Sequence, residues 1–295
     1  MMSTTGKHEY FSDREFGPLP PTHHEISDTT WKGLTTLVQR GIGKGDFGNA
    51  FPNGCPDSPS TCCGTDSQSF NLTLQAEVPS WPGWDSVPAV ATACDFLEFC
   101  HRHVALAASD EYHSYFKHDH FQFDVAAGQA KLRADVNHLL QRNGIALRMT
   151  DDGLMERILD DPTGESIRRA VFQTGDASLD LLLEEARTKF MKPSPRLRQE
   201  ALERAWDAWD RLKTIKDPDK KRGIGMALDA SASEPTIRGK LDEEAKALTE
   251  LGNKLRIRHF ETDKPEVTDT EHVDYLFQRM FSMLLLILRK NGMLA

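Results

Sequence analysis

A short basic segment around His259 combines an imidazole with several cations and is the chain's first candidate for chemistry. Arg256 precedes His259 by three residues, so in a helix the two side chains share one face. An imidazole can exchange a proton near neutral pH, and a guanidinium can stabilise charge on a phosphate. The pair is therefore an acid/base candidate with its cation, and Arg258 is the second cation candidate. A histidine packed in a core or at a dimer interface is the alternative interpretation.

The same segment ends a helical pattern that predicts a helix from Lys240 to His259. At 100° per residue, one apolar stripe collects Ala245, Leu248, Gly252, Leu255 and His259. An amide, an amine and a carboxylate flank the histidine. The candidate residues for catalysis and substrate binding therefore also include Asn253, Lys254 and Glu261.

Helical periodicity dominates the rest of the chain and predicts a mainly α (α+β) fold. A helix over Ala126–Arg142 is followed by a β-hairpin over Ile145–Ile158, with a turn at residues 151–153. The Gly/Pro/Ser-rich region 43–84 predicts a long loop with one strand at Phe70–Val78, and Gly223–Pro235 predicts a second loop. We expect three regions: 1–90, a loop-rich arm with a short helix; 91–178, the helix and hairpin; and 179–295, a helical bundle.

The charge distribution restricts the class of partner. A formal net charge of −9 argues against a protein that coats nucleic acid non-specifically. Residues 187–222 nevertheless carry 12 Lys/Arg against 6 Asp/Glu, close to Trp206 and Trp209. This region is either a solvated helix face or a surface that meets RNA or an acidic partner. No signal peptide or membrane span is evident, which predicts a cytoplasmic protein that does not enter a membrane.

The cysteines and histidines predict neither a disulfide scaffold nor a cofactor. Cys55, Cys62 and Cys63 lie in the Gly/Pro/Ser-rich region and Cys94 and Cys100 in a helical one, without the paired spacing of a zinc ribbon. The histidines beside Cys100 and those that follow them in the chain could be combined into a metal site. Polar segments rich in histidine are common, however, so no metal is predicted. The residues concerned are Cys100, His101, His103, His113, His118 and His120.

Three segments carry a resemblance to a known family. Tyr10–Glu15, Leu139–Ala146 and Glu200–Lys213 resemble one class of AbiJ-type N-terminal domain, found in bacterial abortive-infection (phage-defence) proteins. The tail segments Ile257–Thr262 and Val273–Phe277 resemble the helical part that accompanies this class. That part is similar to a HEPN domain, a dimeric helical bundle of toxin and defence ribonucleases. The resemblance covers most of the chain outside residues 43–90.

The resemblance implies roles for individual residues. HEPN ribonucleases carry an Arg followed by a polar residue and, four to six residues later, a His that acts as the general acid/base on RNA. His259 matches the motif His and Asn253 matches the polar position, but Gly252 stands where the Arg belongs. The cation would then come from Lys254, Arg256 or Arg258.

Two functions follow as expectations. The first is a metal-independent ribonuclease of an anti-phage system that acts on RNA and leaves 2′,3′-cyclic phosphate ends. The second is a non-catalytic HEPN-like scaffold or sensor that binds a defence partner. Either protein is expected to dimerise through its C-terminal helices, or to join a larger defence complex. Gly252 and the last apolar stripe would form the interface, with the large side chains Leu276, Phe277, Met280, Leu284 and Leu288.

Overall fold

The computed structural model describes residues 10–159, 162–257 and 264–294. The chain divides into two compact units, one up to Ile158 and one from Leu159 onward. The three regions expected from the sequence, 1–90, 91–178 and 179–295, stay a prediction. The break at 158 follows directly after the hairpin that the sequence predicted there.

The fold is mainly helical with small antiparallel hairpins, and this confirms the predicted fold class. Helices account for 58% of residues and strands for 14%. In the first unit the helices are α1 (Phe11–Phe16), α2 (Asp28–Lys44), α3 (Ser67–Glu77), α4 (Val90–His103) and α5 (Val125–Arg142). The strands are β1 (Pro52–Cys55), β2 (Ser58–Thr65), β3 (Leu106–His113), β4 (His118–Asp124), β5 (Leu147–Met149) and β6 (Met155–Arg157), paired as three separate hairpins.

The predicted helix and hairpin near residues 126–158 are confirmed. Helix α5 begins where the Asp124 carboxylate accepts a hydrogen bond from the Ala127 N–H, a normal N-cap arrangement. Strands β5 and β6 pair with Met149 opposite Met155. Gly153 lies in the turn at φ +83°, a conformation that favours glycine.

The predicted long loop with a strand at Phe70–Val78 is wrong. Residues 52–65 form the hairpin β1–β2, and Phe70 lies in helix α3, which Asp66 caps through the N–H groups of Gln68 and Ser69. Phe70 and Leu74 are fully buried one helical turn apart, whereas Leu72 between them is 60% exposed. Alternation of apolar residues therefore indicated a strand where the buried positions follow the helical period.

The core of the first unit is rich in aromatic rings. Trp31 of α2 and Phe96 of α4 are fully buried and meet edge to face at 5.4 Å between ring centroids. Phe70 of α3 meets Phe99 of α4 in the same way at 5.4 Å. These rings pack α2 and α3 against α4.

The second unit is all-helical in its named elements. They are α6 (Pro162–Arg169), α7 (Ala177–Phe190), α8 (Pro195–Ile215), α9 (Lys220–Ser231), α10 (Pro235–Lys254) and α11 (Thr270–Lys290). The loop predicted over Gly223–Pro235 is wrong, because α9 occupies most of it. Gly223 permits this helix to pack: a Cβ there would lie 1.9 Å from the Lys213 carbonyl oxygen.

The apolar stripe of α11 is buried inside the second unit itself. Phe277, Met280, Leu284 and Leu288 are fully buried, and Phe277 stacks on Phe190 of α7 at 3.7 Å between ring centroids. These side chains are therefore not available for the dimer interface that the sequence predicted from them. Dimer formation itself stays a prediction.

None of the helices within the described ranges is long and apolar enough to cross a membrane.

Candidate metal centre

The tips of two hairpins bring one cysteine and three histidines together. Cys55 is the last residue of β1, and the two-residue turn Pro56–Asp57 leads into β2 at Ser58. The strand is irregular on either side of Gly54, where a Cβ would lie 2.9 Å from the Pro59 carbonyl oxygen. Such an irregularity is typical of a β-bulge, which changes the direction of the side chain that follows, here that of Cys55. The Cys55 side chain is buried, with 1% of its surface exposed.

The second hairpin supplies the three histidines. His113 ends β3 and His118 begins β4, and the two are direct cross-strand partners. His120 lies two residues further along β4, on the same face as His118, because side chains alternate along a strand. Lys117 adopts φ +56° in the turn between the strands. The local pairing of β3 with β4 therefore directs all three imidazoles to one side of the hairpin.

The four side chains are close enough to hold one ion. One potential ligand atom from each residue lies within 4.8 Å of all the others, and Cys55 Sγ is 3.4 Å from His113 Nδ1. The ring centroids of His118 and His120 are each 5.3 Å from that of His113. Tetrahedral zinc with bonds of about 2.0–2.3 Å separates its ligand atoms by about 3.3–3.7 Å. Side-chain adjustments of about 1 Å would close this cluster around the ion.

Two of the imidazole nitrogens need a partner that the described protein atoms do not provide. Nε2 of His118 and Nε2 of His120 are both buried without a hydrogen bond. Buried polar atoms are rarely left in this state, since the lost hydration costs free energy. The lone pair of a neutral imidazole nitrogen is a good ligand for a transition metal. The donor set and the two orphaned nitrogens therefore fit a metal ion.

A carboxylate lies near the second ring nitrogen of two of the histidines. Asp57 Oδ2 is 3.5 Å from His113 Nε2, the nitrogen opposite the one near Cys55. Glu111 Oε2 is 4.0 Å from His120 Nδ1, opposite the orphaned Nε2. A carboxylate facing the second ring nitrogen orients a metal-binding histidine and makes it more basic. Both pairs have this arrangement.

The other cysteines of this region are hydrogen-bonded as thiols. The Cys62 Sγ–H donates to the Gly64 carbonyl at 3.0 Å, and the Cys63 Sγ–H donates to the Asn53 carbonyl at 3.2 Å. Burial raises the pKa of Cys63, and the nearby Cys55 and Cys62 raise it further. Cys55 is therefore the candidate thiolate ligand, and its neighbours are not.

The metal site considered from the sequence combined the wrong residues around Cys100. Burial raises the pKa of Cys100 well above its usual value, and Cys100 is part of the α4 core. Burial lowers the pKa of His101 and of His103, and the His103 ring packs 4.6 Å from that of Phe99. Within the described ranges, neither histidine joins a group of metal-ligand size. His113, His118 and His120, which the sequence analysis had considered, do lie together, and Cys55, which it had not combined with them, completes the group.

The residues predicted for RNA cleavage lie at the end of α10 or beyond it. Asn253 and Lys254 are the last two residues of the helix, and Lys254 forms an ion pair with Glu250. The helix ends at Lys254, so the predicted continuation of the helix is wrong for residues 255–257, and its last two positions lie outside the described residues. The other predicted residues Arg258, His259 and Glu261 lie outside the described residues.

Arg256 is engaged by a neighbour in its own unit. Its Nη2 donates to Glu266 Oε2 at 2.9 Å, and its backbone N–H donates to the Pro265 carbonyl at 2.8 Å. These bonds hold the stretch after α10 against the stretch before α11. To bind a phosphate, the Arg256 guanidinium would first have to break its ion pair with Glu266.

Glycine at position 252 is required by packing. A Cβ added there would lie 2.2 Å from Trp206 Nε1 and 2.4 Å from Trp206 Cδ1. The close approach that the sequence attributed to a partner chain is therefore made by Trp206 of the same unit. Glycine at this position has a structural reason that is independent of catalysis.

Comparisons with known proteins identify no relative: no protein-family model, no curated protein and no solved structure matches this chain. The resemblance to AbiJ-type and HEPN proteins stays a prediction.

Proposed function

We propose that this protein binds one zinc ion through Cys55, His113, His118 and His120. The observation that carries the proposal is the pair of buried, unpartnered Nε2 atoms of His118 and His120, which lie beside a buried cysteine. One thiolate and three imidazoles are soft and borderline ligands, the kind that zinc prefers and that magnesium and calcium do not.

The ion's role in this proposal is structural. Four protein ligands complete a tetrahedral shell, whereas catalytic zinc sites keep one position for water or substrate. Cys55 comes from one hairpin and the histidines from the other, so the ion joins β1–β2 to β3–β4. Metal binding would then contribute to the folding free energy of the first unit.

The test measures bound metal in the full-length chain. After dialysis against micromolar zinc, the wild type should retain one zinc per chain by elemental analysis, and Co²⁺ should give the absorption of a tetrahedral thiolate complex. Cys55→Ser and His118→Ala should lose both signals. Cys63→Ser and His103→Gln are matched controls that should keep them. Metal-free wild type, or equal loss in Cys63→Ser, would contradict the proposal.

Metal-independent RNA cleavage by the second unit is a second proposal, independent of the first. Its support is the position of Asn253, which lines a groove of about 600 Å³ in this unit. The basic residues along this groove are Lys213, Lys220, Lys221, Arg238 and Lys246. In this proposal His259 is the acid/base, Arg256 or Arg258 the cation, and the protein is a cytoplasmic phage-defence ribonuclease.

Incubation with total RNA tests this second proposal. The wild type should cut RNA in chelator and leave 2′,3′-cyclic phosphate ends, and His259→Ala should abolish cleavage without a change in melting temperature. Circular dichroism in the same chelator is needed, because zinc loss could unfold the first unit. If the wild type does not cut and His259→Ala is less stable or dissociates, the non-catalytic scaffold is the better account.

A further inference from the structure

A cavity of about 650 Å³ lies in the first unit between α2 and α5, and it involves none of the four proposed zinc ligands. This volume is typical of sites for small organic molecules. Its wall is mixed, and its apolar part includes the buried side chains of Val38, Phe47 and Leu132. The cavity can therefore cover the apolar body of a ligand.

The rim of the cavity is basic, and two of its cations have no acidic partner among the described residues. Lys32 pairs with Asp28 outside the lining, and Lys131 pairs with Asp135. The side chains of Arg40 and Lys44 form no ion pair or hydrogen bond in the parts of the chain that the structure describes. They lie four residues apart on α2, so they share one helix face.

Two exposed cations do not define a site, because basic side chains are favoured near any helix C-terminus. The second observation is a buried carboxylate in the lining. Asp46 is 9% exposed, and its Oδ1 accepts a hydrogen bond from the Ala107 N–H at 3.1 Å. Its Oδ2 accepts no hydrogen bond from any described residue. Because Asp46 lines the cavity, this oxygen is available to a hydrogen-bond donor of a ligand.

These three features select one class of ligand. The ligand needs an apolar face for the wall, an N–H donor for Asp46 and an anionic group for Arg40 and Lys44. A fatty acid has no donor and would bury Asp46 against its chain. We propose that the cavity binds a nucleotide, with base N–H groups on Asp46 and phosphate on Arg40 and Lys44.

The basic groove in the second unit is a useful contrast. Lys213 and Lys220 both pair with Asp210, and Lys246 pairs with Asp242. An anion there would have to displace carboxylates, whereas an anion at the rim beside α2 would meet two cations with no acidic partner among the described residues. A single nucleotide is therefore expected in the cavity of the first unit, whereas RNA brings many phosphates that compete with the carboxylates of the groove.

The test is fluorescence anisotropy of methylanthraniloyl-labelled ATP and GTP with the zinc-loaded full chain. Saturable micromolar binding is expected, and unlabelled nucleotide should compete far better than inorganic phosphate or dodecanoate. The double variant Arg40→Gln/Lys44→Gln should weaken binding at least tenfold. The charge-matched control, Lys240→Gln/Lys290→Gln at two exposed positions of the second unit, should leave it unchanged.

Asp46→Asn tests recognition of the base. The amide keeps an oxygen for the Ala107 N–H but presents an N–H₂ group to the ligand, so nucleotide binding should fall about tenfold at an unchanged melting temperature. If this variant does not fold, the Arg40/Lys44 pair carries the test alone. The proposal is overturned if nucleotides do not bind, if the Arg40/Lys44 variant binds as well as wild type, or if phosphate or dodecanoate competes equally.

Discussion

The histidine cluster of the first unit and the end of α10 in the second are both rich in groups that could do chemistry, but they satisfy those groups differently. At the hairpins, Nε2 of His118 and of His120 are buried with no described partner. At α10, Arg256 is bonded to Glu266 and Lys254 to Glu250.

The difference distinguishes a site that needs a ligand from one whose described charges are already neutralised. An orphaned buried nitrogen makes the protein less stable until something binds it, and this is a reason for it to bind a metal. An ion pair at the surface contributes little, and a ligand must first compete with it. The predictions below test the two regions on this basis.

Zinc should have the largest effect. A ligand at a thousandfold excess over its Kd stabilises the folded state by about 4 kcal/mol. Thermal unfolding of the metal-stripped protein with and without zinc should show this rise, and His118→Ala should remove it. The same zinc-dependent rise in the variant would mean that zinc binds elsewhere.

Gly252→Ala should be the most damaging small change at the end of α10. The added methyl would lie 2.2 Å from Trp206 Nε1, and overpacking of this kind costs about 1–3 kcal/mol. Gly239→Ala in the same helix is the matched control: it has nothing within 4 Å and should gain about 0.5–1 kcal/mol. Urea unfolding of both variants measures the difference. Equal effects on the free energy of unfolding would show that the Trp206 side chain moves aside at little cost. A larger side chain, such as the arginine expected from the resemblance, would then fit at position 252.

The sequence predicted those elements whose periodicity agrees with their burial. Helix α5 and the hairpin β5–β6 were found because apolar spacing and turn residues indicate the same structure. Helix α3 was missed because Phe70, Leu72 and Leu74 alternate as in a strand although Leu72 is exposed. Most side chains of strand β3 are exposed, so the strand is formed by its hydrogen bonds to β4. Apolar periodicity does not reveal such pairing.

Only part of the candidate metal cluster could be predicted from the sequence. The spacing of His118 and His120 places them on one face of a strand, and His113 was noted with them. Cys55 lies 58 residues before His113, so its approach depends on how two hairpins pack. No local sequence pattern predicts that Cys55 and His113 lie close together. The end of α10 shows the opposite case, since its motif is local but the partner Trp206 of Gly252 is distant in the chain.

Asp57→Asn should weaken zinc binding about tenfold without abolishing it. The carboxylate is 3.5 Å from His113 Nε2, and loss of such an orienting group costs about 10–100-fold in metal affinity. Glu111→Gln should have a smaller effect, because Glu111 is more exposed and 4.0 Å from its histidine. Competition with a chromophoric chelator measures both. Wild-type affinity in both variants would show that the carboxylates do not support the site.

Arg256→Ala should have the smallest effect on stability. The side chains of Arg256 and Glu266 are 32% and 48% exposed, and pairs of this kind contribute about 0–1 kcal/mol. A double-mutant cycle with Glu266→Ala in urea unfolding isolates the pair, and a coupling well above 1 kcal/mol would give it a structural role like that of Gly252. Glu266→Ala alone frees the guanidinium. If the second unit cleaves RNA with Arg256 as its cation, this variant should cut at least as fast as wild type while Arg256→Ala loses cleavage. Equal cleavage by all three proteins would remove Arg256 from the proposed mechanism and leave Arg258 as the candidate.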